Sequence, residues 1–279
     1  MAKSLINCED LYKEINAGLP KDTVIVDVSW SSKKKCYEDY LKCHIPGAVF
    51  VNVLESEHTD LYPRNIPKSD IFERNVRQAG INDNSRVILY SESDNFGFFA
   101  SCRAWWTFMV YGHSNVSVLN GGLPKWKSLG YPVSSDVVKV LPGSFTAKWT
   151  PTHHKKFDEV VKNVEQGVFQ VCDTRSSGAY LGQDSPGHIP GAVNLNYGQL
   201  MDTGNQTLLS PDKIKTVFAD AGVDLSRPLV THCNSGMSSC SVAFAAKLCG
   251  SEDVSVFHGG FTEWKAKADP ELLTKETPK

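Results

Sequence analysis

The stretch His44-Ile-Pro-Gly-Ala-Val49 occurs a second time in this chain, as His188-Ile-Pro-Gly-Ala-Val193. A second pair of related stretches follows downstream, Val116-Ser-Val-Leu-Asn-Gly-Gly-Leu-Pro-Lys-Trp126 and Val254-Ser-Val-Phe-His-Gly-Gly-Phe-Thr-Glu-Trp264. Both pairs keep the same order in each half of the chain. Such spaced internal similarity indicates that a whole domain has been duplicated.

Short apolar runs predict the fold of each copy. One run precedes each histidine motif, at residues 24–30 and 168–175, and a second lies further along, at 87–90 and 229–232. Helical stretches follow the second runs, at 100–110 and 239–248. Buried strands that alternate with helices are typical of parallel α/β domains. We therefore predict two tandem α/β domains, each with a parallel sheet flanked by helices.

The boundaries follow from where this pattern stops. Residues 134–156 lack clear periodicity and contain prolines, as linkers commonly do. We predict a first domain over 1–140, a linker over 141–156 and a second domain over 157–270.

Composition restricts the classes of partner. The 279 residues carry a formal net charge of -2, so nothing favours a nucleic-acid or membrane partner. The amino terminus resembles neither a secretory signal nor a transit peptide. We expect a soluble cytoplasmic protein, with a mitochondrial location left open. Its 8 cysteines lack the paired spacing of metal sites, so reduced thiols, no metal and no cofactor are expected.

The stretch Cys233-Asn-Ser-Gly-Met-Ser-Ser239 is the candidate site. A thiol that follows a strand and precedes a helix amino terminus faces several backbone N–H groups, which favour the thiolate. Gly236 permits the tight turn. The residues expected to bind an anionic substrate around Cys233 are Asn234, Gly236, Met237, Ser238 and Ser239.

The first half has no thiol at the corresponding place. Asp94 stands three residues before Gly97, as Cys233 stands three residues before Gly236. We predict that the second domain is catalytic and that the first shapes the site.

These motifs resemble those of the rhodanese superfamily over nearly the whole chain. The neutral Cys-x-Ser-Gly loop is more similar to that of mercaptopyruvate sulfurtransferases than to the basic loop of thiosulfate sulfurtransferases. The resemblance implies that Cys233 takes sulfur from 3-mercaptopyruvate, or thiosulfate, as a persulfide. A thiol, cyanide or a thioredoxin-like protein would then accept that sulfur. It also implies proton relay by Ser235 and His44, although His44 and His188 are equivalent and at least one should be a structural hydrogen bonder.

One position departs from the family pattern. Ala179 stands where the family carries an arginine that binds the donor, and the following segment is shortened. The replacement cation is left open among Arg103, Arg175 and the lysines at 33–35. Arg175 has an alternative role, because it follows Asp173 and can brace the loop through an ion pair.

Two other functions compete with sulfur transfer. A phosphatase with a His-Cys-x5-Arg loop is disfavoured, since Ser239 occupies the arginine position. A binding or scaffold protein of low activity remains an alternative because of Ala179.

Overall fold

The computed structural model describes residues 4–92 and 98–274 and divides into two compact units. Unit 1 contains the chain up to Ser56, Ile66–Thr150 and Asp202–Leu208. Unit 2 contains Glu57–Asn65, Pro151–Met201 and the chain from Leu209 onward. Each half of the sequence therefore contributes one short segment to the unit of the other half. Both segments follow the repeated histidine motif at the same place in the repeat.

Unit 1 is built on a five-stranded parallel sheet with the order β1-β5-β4-β2-β3. Its strands are β1 (Leu5–Asn7), β2 (Thr23–Asp27), β3 (Val49–Phe50), β4 (Arg86–Tyr90) and β5 (Val116–Asn120). The helices of this unit are α1 (Cys8–Ala17), α2 (Cys36–Tyr40), α3 (Ser69–Gln78), α4 (Phe98–Val110) and α5 (Gly122–Ser128). The middle strands are buried on both faces, which explains why they are continuous apolar runs without alternation.

Unit 2 repeats the plan with a four-stranded parallel sheet, in the order β11-β10-β6-β7. Its strands are β6 (Gln170–Asp173), β7 (Val193–Asn194), β10 (Leu229–His232) and β11 (Val254–Val256). The strands β8 (Met201–Asp202) and β9 (Thr207–Leu208) form a separate two-stranded sheet, which lies almost entirely in the 202–208 segment of unit 1. The helices are α6 (Phe157–Gln166), α7 (Ser177–Tyr180), α8 (Pro211–Asp220), α9 (Ser238–Leu248) and α10 (Gly260–Lys267). Short 3-10 turns lie at Pro151–His153, Tyr197–Leu200 and Pro270–Leu272.

The repeated tryptophans occupy equivalent core positions. Trp126 and Trp264 are both fully buried. Their indole N–H groups donate to backbone carbonyls, Trp126 to Pro132 and Trp264 to Leu272. A buried indole N–H needs such a partner. Each tryptophan therefore ties the segment that follows its motif to the core of its unit.

The predicted fold class, two tandem α/β domains with parallel sheets flanked by helices, is confirmed. The long segment Ile66–Thr150 of unit 1 ends inside the stretch predicted as linker, and the domain bounds stay a prediction. None of the helices in the described part of the chain has the length and apolar character of a membrane span. The predicted counterpart of the cysteine, Asp94, and the nearby Gly97 lie outside the described residues.

Candidate active site

Cys233 lies at the carboxyl end of the central strand β10, five residues before α9 begins. This is the edge of a parallel sheet at which ligands gather. The loop turns sharply at Gly236, whose φ of 73° is in the left-handed region that favours glycine. The curl directs the backbone N–H groups that precede α9 back toward the end of the strand.

The sulfur of Cys233 is a hydrogen-bond acceptor in this loop. The backbone N–H of Met237 donates to it at 3.1 Å, and the hydroxyl of Ser239 lies 3.6 Å away. The thiol group is nearly sealed, since the residue is 5% exposed. A buried sulfur surrounded by donors is better suited to carry a negative charge than a proton.

Burial and hydrogen bonding shift the pKa of Cys233 in opposite directions. Burial alone would raise it, but the N–H groups of Ser239 and Ser235 and the hydroxyls of Ser239 and Ser238 hold the pKa below its ordinary value of 9.0. The Ser238 hydroxyl is in turn fixed by a hydrogen bond of 2.9 Å to the hydroxyl of Thr174.

Two other buried thiols, Cys8 and Cys172, have pKa values shifted in the opposite direction. Burial raises the pKa of Cys8 to about 12, and burial with the neighbouring Asp173 raises that of Cys172. Cys172 lies in β6 and Cys233 directly follows the adjacent strand β10, and both are buried, so the loop donors rather than depth in the protein distinguish them. Cys240 is fully buried in α9, with its sulfur 3.2 Å from the Gly236 carbonyl oxygen.

The segment around the second Gly-Gly motif, Gly259-Gly260, forms hydrogen bonds to the cysteine loop. The backbone N–H groups of Phe261 and Thr262 donate to the carbonyls of Cys233 and Asn234, at 2.7 and 3.1 Å. The repeated motif therefore holds the reactive loop at its first two residues. Asn234 itself is exposed.

Arg175 forms a buried ion pair with Asp173, the second of the two roles that the sequence allows. Its guanidinium donates to both carboxylate oxygens of Asp173, at 2.6 to 3.0 Å, and to Ser185 and the Gly187 carbonyl. Its centre lies 3.7 Å from the ring of Phe261. Burial would raise the pKa of Asp173, but His232 and the Arg175 guanidinium hold it below its usual value. Arg175 thus packs against Phe261, whose backbone N–H donates to the Cys233 carbonyl. These contacts favour a structural role for Arg175 in holding the cysteine loop.

Sequence reasoning missed one cation at this loop, Arg64. Its Nη1 donates a hydrogen bond of 2.7 Å to the hydroxyl oxygen of Ser235. Arg64 belongs to the 57–65 segment, which the structure places in unit 2 although it lies in the first half of the sequence. No local motif marks it, and only the unexplained Ala179 indicated that another cation was needed.

His44 and His188 have matching structural environments. The Nδ1 of His44 lies 2.7 Å from the Tyr40 carbonyl, and that of His188 lies 2.8 Å from the Tyr180 carbonyl. Each ring also stacks on that tyrosine. The Nε2 of His44 lies 3.2 Å from the carbonyl of Asp136. The proton-relay role of His44 stays a prediction.

The other predicted cations belong to unit 1. Arg103 is fully buried in α4, with its guanidinium 4.8 Å from the ring of Trp106. The lysines at 33–35 are exposed, and Lys35 forms a surface ion pair with Glu38. Their contact with the donor stays a prediction.

Comparison with known proteins agrees with this geometry. The model of the rhodanese-like domain matches residues 7–129 and again residues 156–267. The chain belongs to the rhodanese family. The family resemblance seen in the repeated motifs is thereby confirmed.

Curated relatives of the chain include two kinds of rhodanese-family enzyme. It is 35% identical over 286 residues to the thiosulfate sulfurtransferase of Mus musculus, covering 98% of this chain and 96% of that one. It is 34% identical over 263 residues to the 3-mercaptopyruvate sulfurtransferase of the same species, covering 90% and 88%. The predicted enzyme class, a sulfurtransferase, is confirmed by these relatives.

A solved structure of the rhodanese fold is also similar to this chain. SseA from Escherichia coli, a 3-mercaptopyruvate sulfurtransferase, superimposes with a TM-score of 0.82 at 26% identity. The match covers 93% of this chain and 99% of SseA.

Proposed function

We propose that the chain transfers sulfane sulfur from a small anionic donor to a thiol or cyanide through a persulfide on Cys233. The observation that carries this proposal is the hydrogen bond of 3.1 Å from the Met237 N–H to the Cys233 sulfur, together with the lowered pKa of that thiol. The donors that favour a thiolate would equally favour the terminal anion of a persulfide.

The first half-reaction moves one sulfur atom onto the enzyme. The Cys233 thiolate attacks the sulfur of 3-mercaptopyruvate, an S–S bond forms, and the C–S bond breaks. The electron pair of that bond leaves with the carbon, which takes up the proton of the donor's S–H group to give pyruvate. With thiosulfate, the same attack releases sulfite and needs no proton transfer.

The second half-reaction returns the enzyme to its starting state. Cyanide attacks the outer sulfur and leaves as thiocyanate, or a thiol takes that sulfur and becomes a persulfide. In both cases the electron pair of the S–S bond returns to Cys233 as thiolate. Two successive displacements divide one difficult transfer into two easier steps.

Ser235 is well placed to assist the proton transfer that 3-mercaptopyruvate requires. It lies in the loop two residues after Cys233, its backbone N–H lowers the pKa of Cys233, and its side chain is nearly buried. A hydroxyl there can pass the donor's proton toward the leaving carbon. His44 is proposed as a second participant on the family resemblance.

We favour 3-mercaptopyruvate over thiosulfate as donor. The side chains at Asn234 and Ser235 are neutral, which suits an anion of single charge better than one of double charge. Named relatives of both kinds match nearly equally well, so rates with the two donors must decide.

The direct test is the intact mass of the protein after exposure to either donor. We expect a gain of one sulfur atom, which cyanide removes and which is absent in Cys233→Ser. Cys249→Ser is the matched control, because Cys249 is a partly exposed thiol of the same unit. Failure of both donors to add sulfur would favour the binding or scaffold alternative.

The physiological acceptor is proposed as a small thiol or a thioredoxin-like protein. A cytoplasmic location also stays a prediction.

A further inference from the structure

We propose that Arg64 is the anion-binding residue of the sulfur-donor site and replaces the arginine that the sequence lacks at Ala179. This inference rests on the proposed function, because it assigns a residue to the donor site of that same reaction. It concerns a side chain outside both repeated motifs.

The guanidinium of Arg64 reaches the cysteine loop directly. Its Nη1 donates to the Ser235 hydroxyl oxygen at 2.7 Å. The N–H of the same Ser235 acts on the Cys233 sulfur. One residue therefore contacts both the cation and the nucleophile, which places a fixed positive charge beside the position where the donor must enter.

The direction of this hydrogen bond has a chemical consequence. A guanidinium only donates, so Ser235 must accept with an oxygen lone pair and keeps its own O–H hydrogen for another acceptor. An arginine carries five N–H donors in a planar fork, a geometry that matches the oxygens of a carboxylate or sulfonate. Arg64 and Ser235 together form a donor pair suited to a carboxylate or a sulfonate.

Residues on either side of Arg64 in the sequence hold its segment in place through Glu263 and His258. The Tyr62 hydroxyl donates to Glu263 at 2.5 Å, and its ring stacks on His258 at 5.3 Å. On the other side, the amide oxygen of Asn65 lies 3.4 Å from the Nε2 of His258. His258 is also linked to His154, with 3.1 Å between their ring nitrogens.

The same short stretch of chain fastens the nucleophile. His258 and Glu263 flank Phe261, whose N–H donates to the Cys233 carbonyl at 2.7 Å. The segment that carries Arg64 and the loop that carries Cys233 are thus both held by hydrogen bonds to residues 258–263. Preorganisation of this kind is what a binding arginine requires, because a loose side chain loses much of its contact energy to ordering.

The contacts of Arg175, the other candidate cation within unit 2, argue against it as the residue that binds the donor. The Arg175 guanidinium donates through all three of its nitrogens to Asp173, Ser185 and Gly187, and its side chain is 3% exposed. Using it for the donor would leave the fully buried Asp173 carboxylate without its cation, which is strongly unfavourable.

The test compares Arg64→Gln with wild type in steady-state kinetics, with each donor varied against saturating cyanide. We expect the donor KM to rise about 10- to 100-fold, the usual effect of losing hydrogen bonds between charged groups. The rate at which cyanide empties a preformed persulfide should change little. Arg227→Gln is the control, since it removes an exposed arginine of the same unit and should leave the donor KM unchanged.

Two further variants guard against a trivial loss of structure. Arg64→Lys keeps the charge without the fork and should fall between wild type and Arg64→Gln. Added guanidinium ion should partly rescue Arg64→Ala. Unchanged donor KM in both Arg64→Gln and Arg64→Lys, with wild type forming the Cys233 persulfide, would overturn the inference and leave the proposed function intact. Absence of that persulfide in wild type would instead overturn the proposed function.

Discussion

A Cβ atom at Gly260 would lie 2.3 Å from the carbonyl oxygen of Cys233. This distance is far below van der Waals contact, and the neighbour is backbone, which cannot rotate away. The second glycine of the repeated Gly-Gly motif thus lets α10 approach the reactive loop closely enough for Phe261 to bond Cys233. The motif contributes to the site although it contains no reactive group.

Gly260→Ala should therefore damage the site more than it damages the fold. We expect persulfide formation to fall at least tenfold, because the cysteine loop must shift to remove the clash. Gly222→Ala is the matched control, since Gly222 also has a positive φ, of 78°, but nothing lies within 4 Å of its Cβ position. The control should lose only about 1 to 2 kcal/mol of unfolding free energy and keep its activity. Equal effects of the two substitutions on activity would contradict this explanation.

The hydroxyl of Ser239 should set part of the pH dependence. It lies 3.6 Å from the Cys233 sulfur and helps to lower the pKa of that thiol. In Ser239→Ala the pKa should rise, because one donor to the sulfur is lost, so the acid limb of the persulfide-formation rate should move to higher pH. Rates well above the new midpoint should change little, because the thiolate is then fully formed.

A control for this experiment lies in the same helix. Ser241 is buried, and its hydroxyl has no hydrogen-bond partner within the described chain. Ser241→Ala should leave the midpoint where it is. A midpoint that stays in place in Ser239→Ala would show that the hydroxyl does not act on the sulfur.

Replacing Arg175 should destabilise the fold strongly. In Arg175→Met the carboxylate of Asp173 stays buried without its cation, at an expected cost of about 3 to 5 kcal/mol in urea unfolding. The double variant with Asp173→Asn should recover part of that loss. Arg74→Met, at the exposed pair with Glu55, should cost less than about 1 kcal/mol. A loss no larger than this control would refute the bracing role.

Asp27 should make stability depend on pH. Burial is the main cause that raises its pKa from 3.8 to about 6, so the folded state binds a proton more tightly than the unfolded state. The free energy of unfolding that this tighter proton binding contributes is fully present below the pKa of the unfolded state, and it is lost as pH rises through about 6. Asp27→Asn lacks this titration, and its amide oxygen can still accept from the Ser29 N–H.

Urea unfolding at two pH values measures this difference. Between pH of about 4 and about 7, wild type should lose about 2 to 3 kcal/mol relative to Asp27→Asn. A difference between the two proteins that does not change with pH would show that Asp27 is not the buried acid described here.

Much of the fold was predictable because its signals are local. The central strands of parallel sheets are continuous apolar runs, and the predicted strand at 229–232 coincides with β10. The prediction at 24–30 extended beyond β2, which ends at Asp27, because the apolar character of Val28 and Trp30 continues after the strand pairing stops. The cysteine loop was also visible, since a thiol between a strand and a small-residue turn is a local pattern.

The parts that could not be predicted depend on contacts between distant residues. Arg64 reaches Ser235 across 171 positions of sequence, and no periodicity or motif encodes that distance. The sequence placed Arg175 two residues after Asp173, but both a free and a paired guanidinium fit that spacing. Only the packing of Phe261 and Ser185 around it decides between them.

Titration of the Cys233 thiolate tests the central claim most directly. The difference in ultraviolet thiolate absorbance between wild type and Cys233→Ser, followed against pH, isolates this one group. We predict a midpoint below the ordinary value of 9.0, because the loop donors outweigh burial. A midpoint above 9.0, as for the buried thiol of Cys172, would contradict the account.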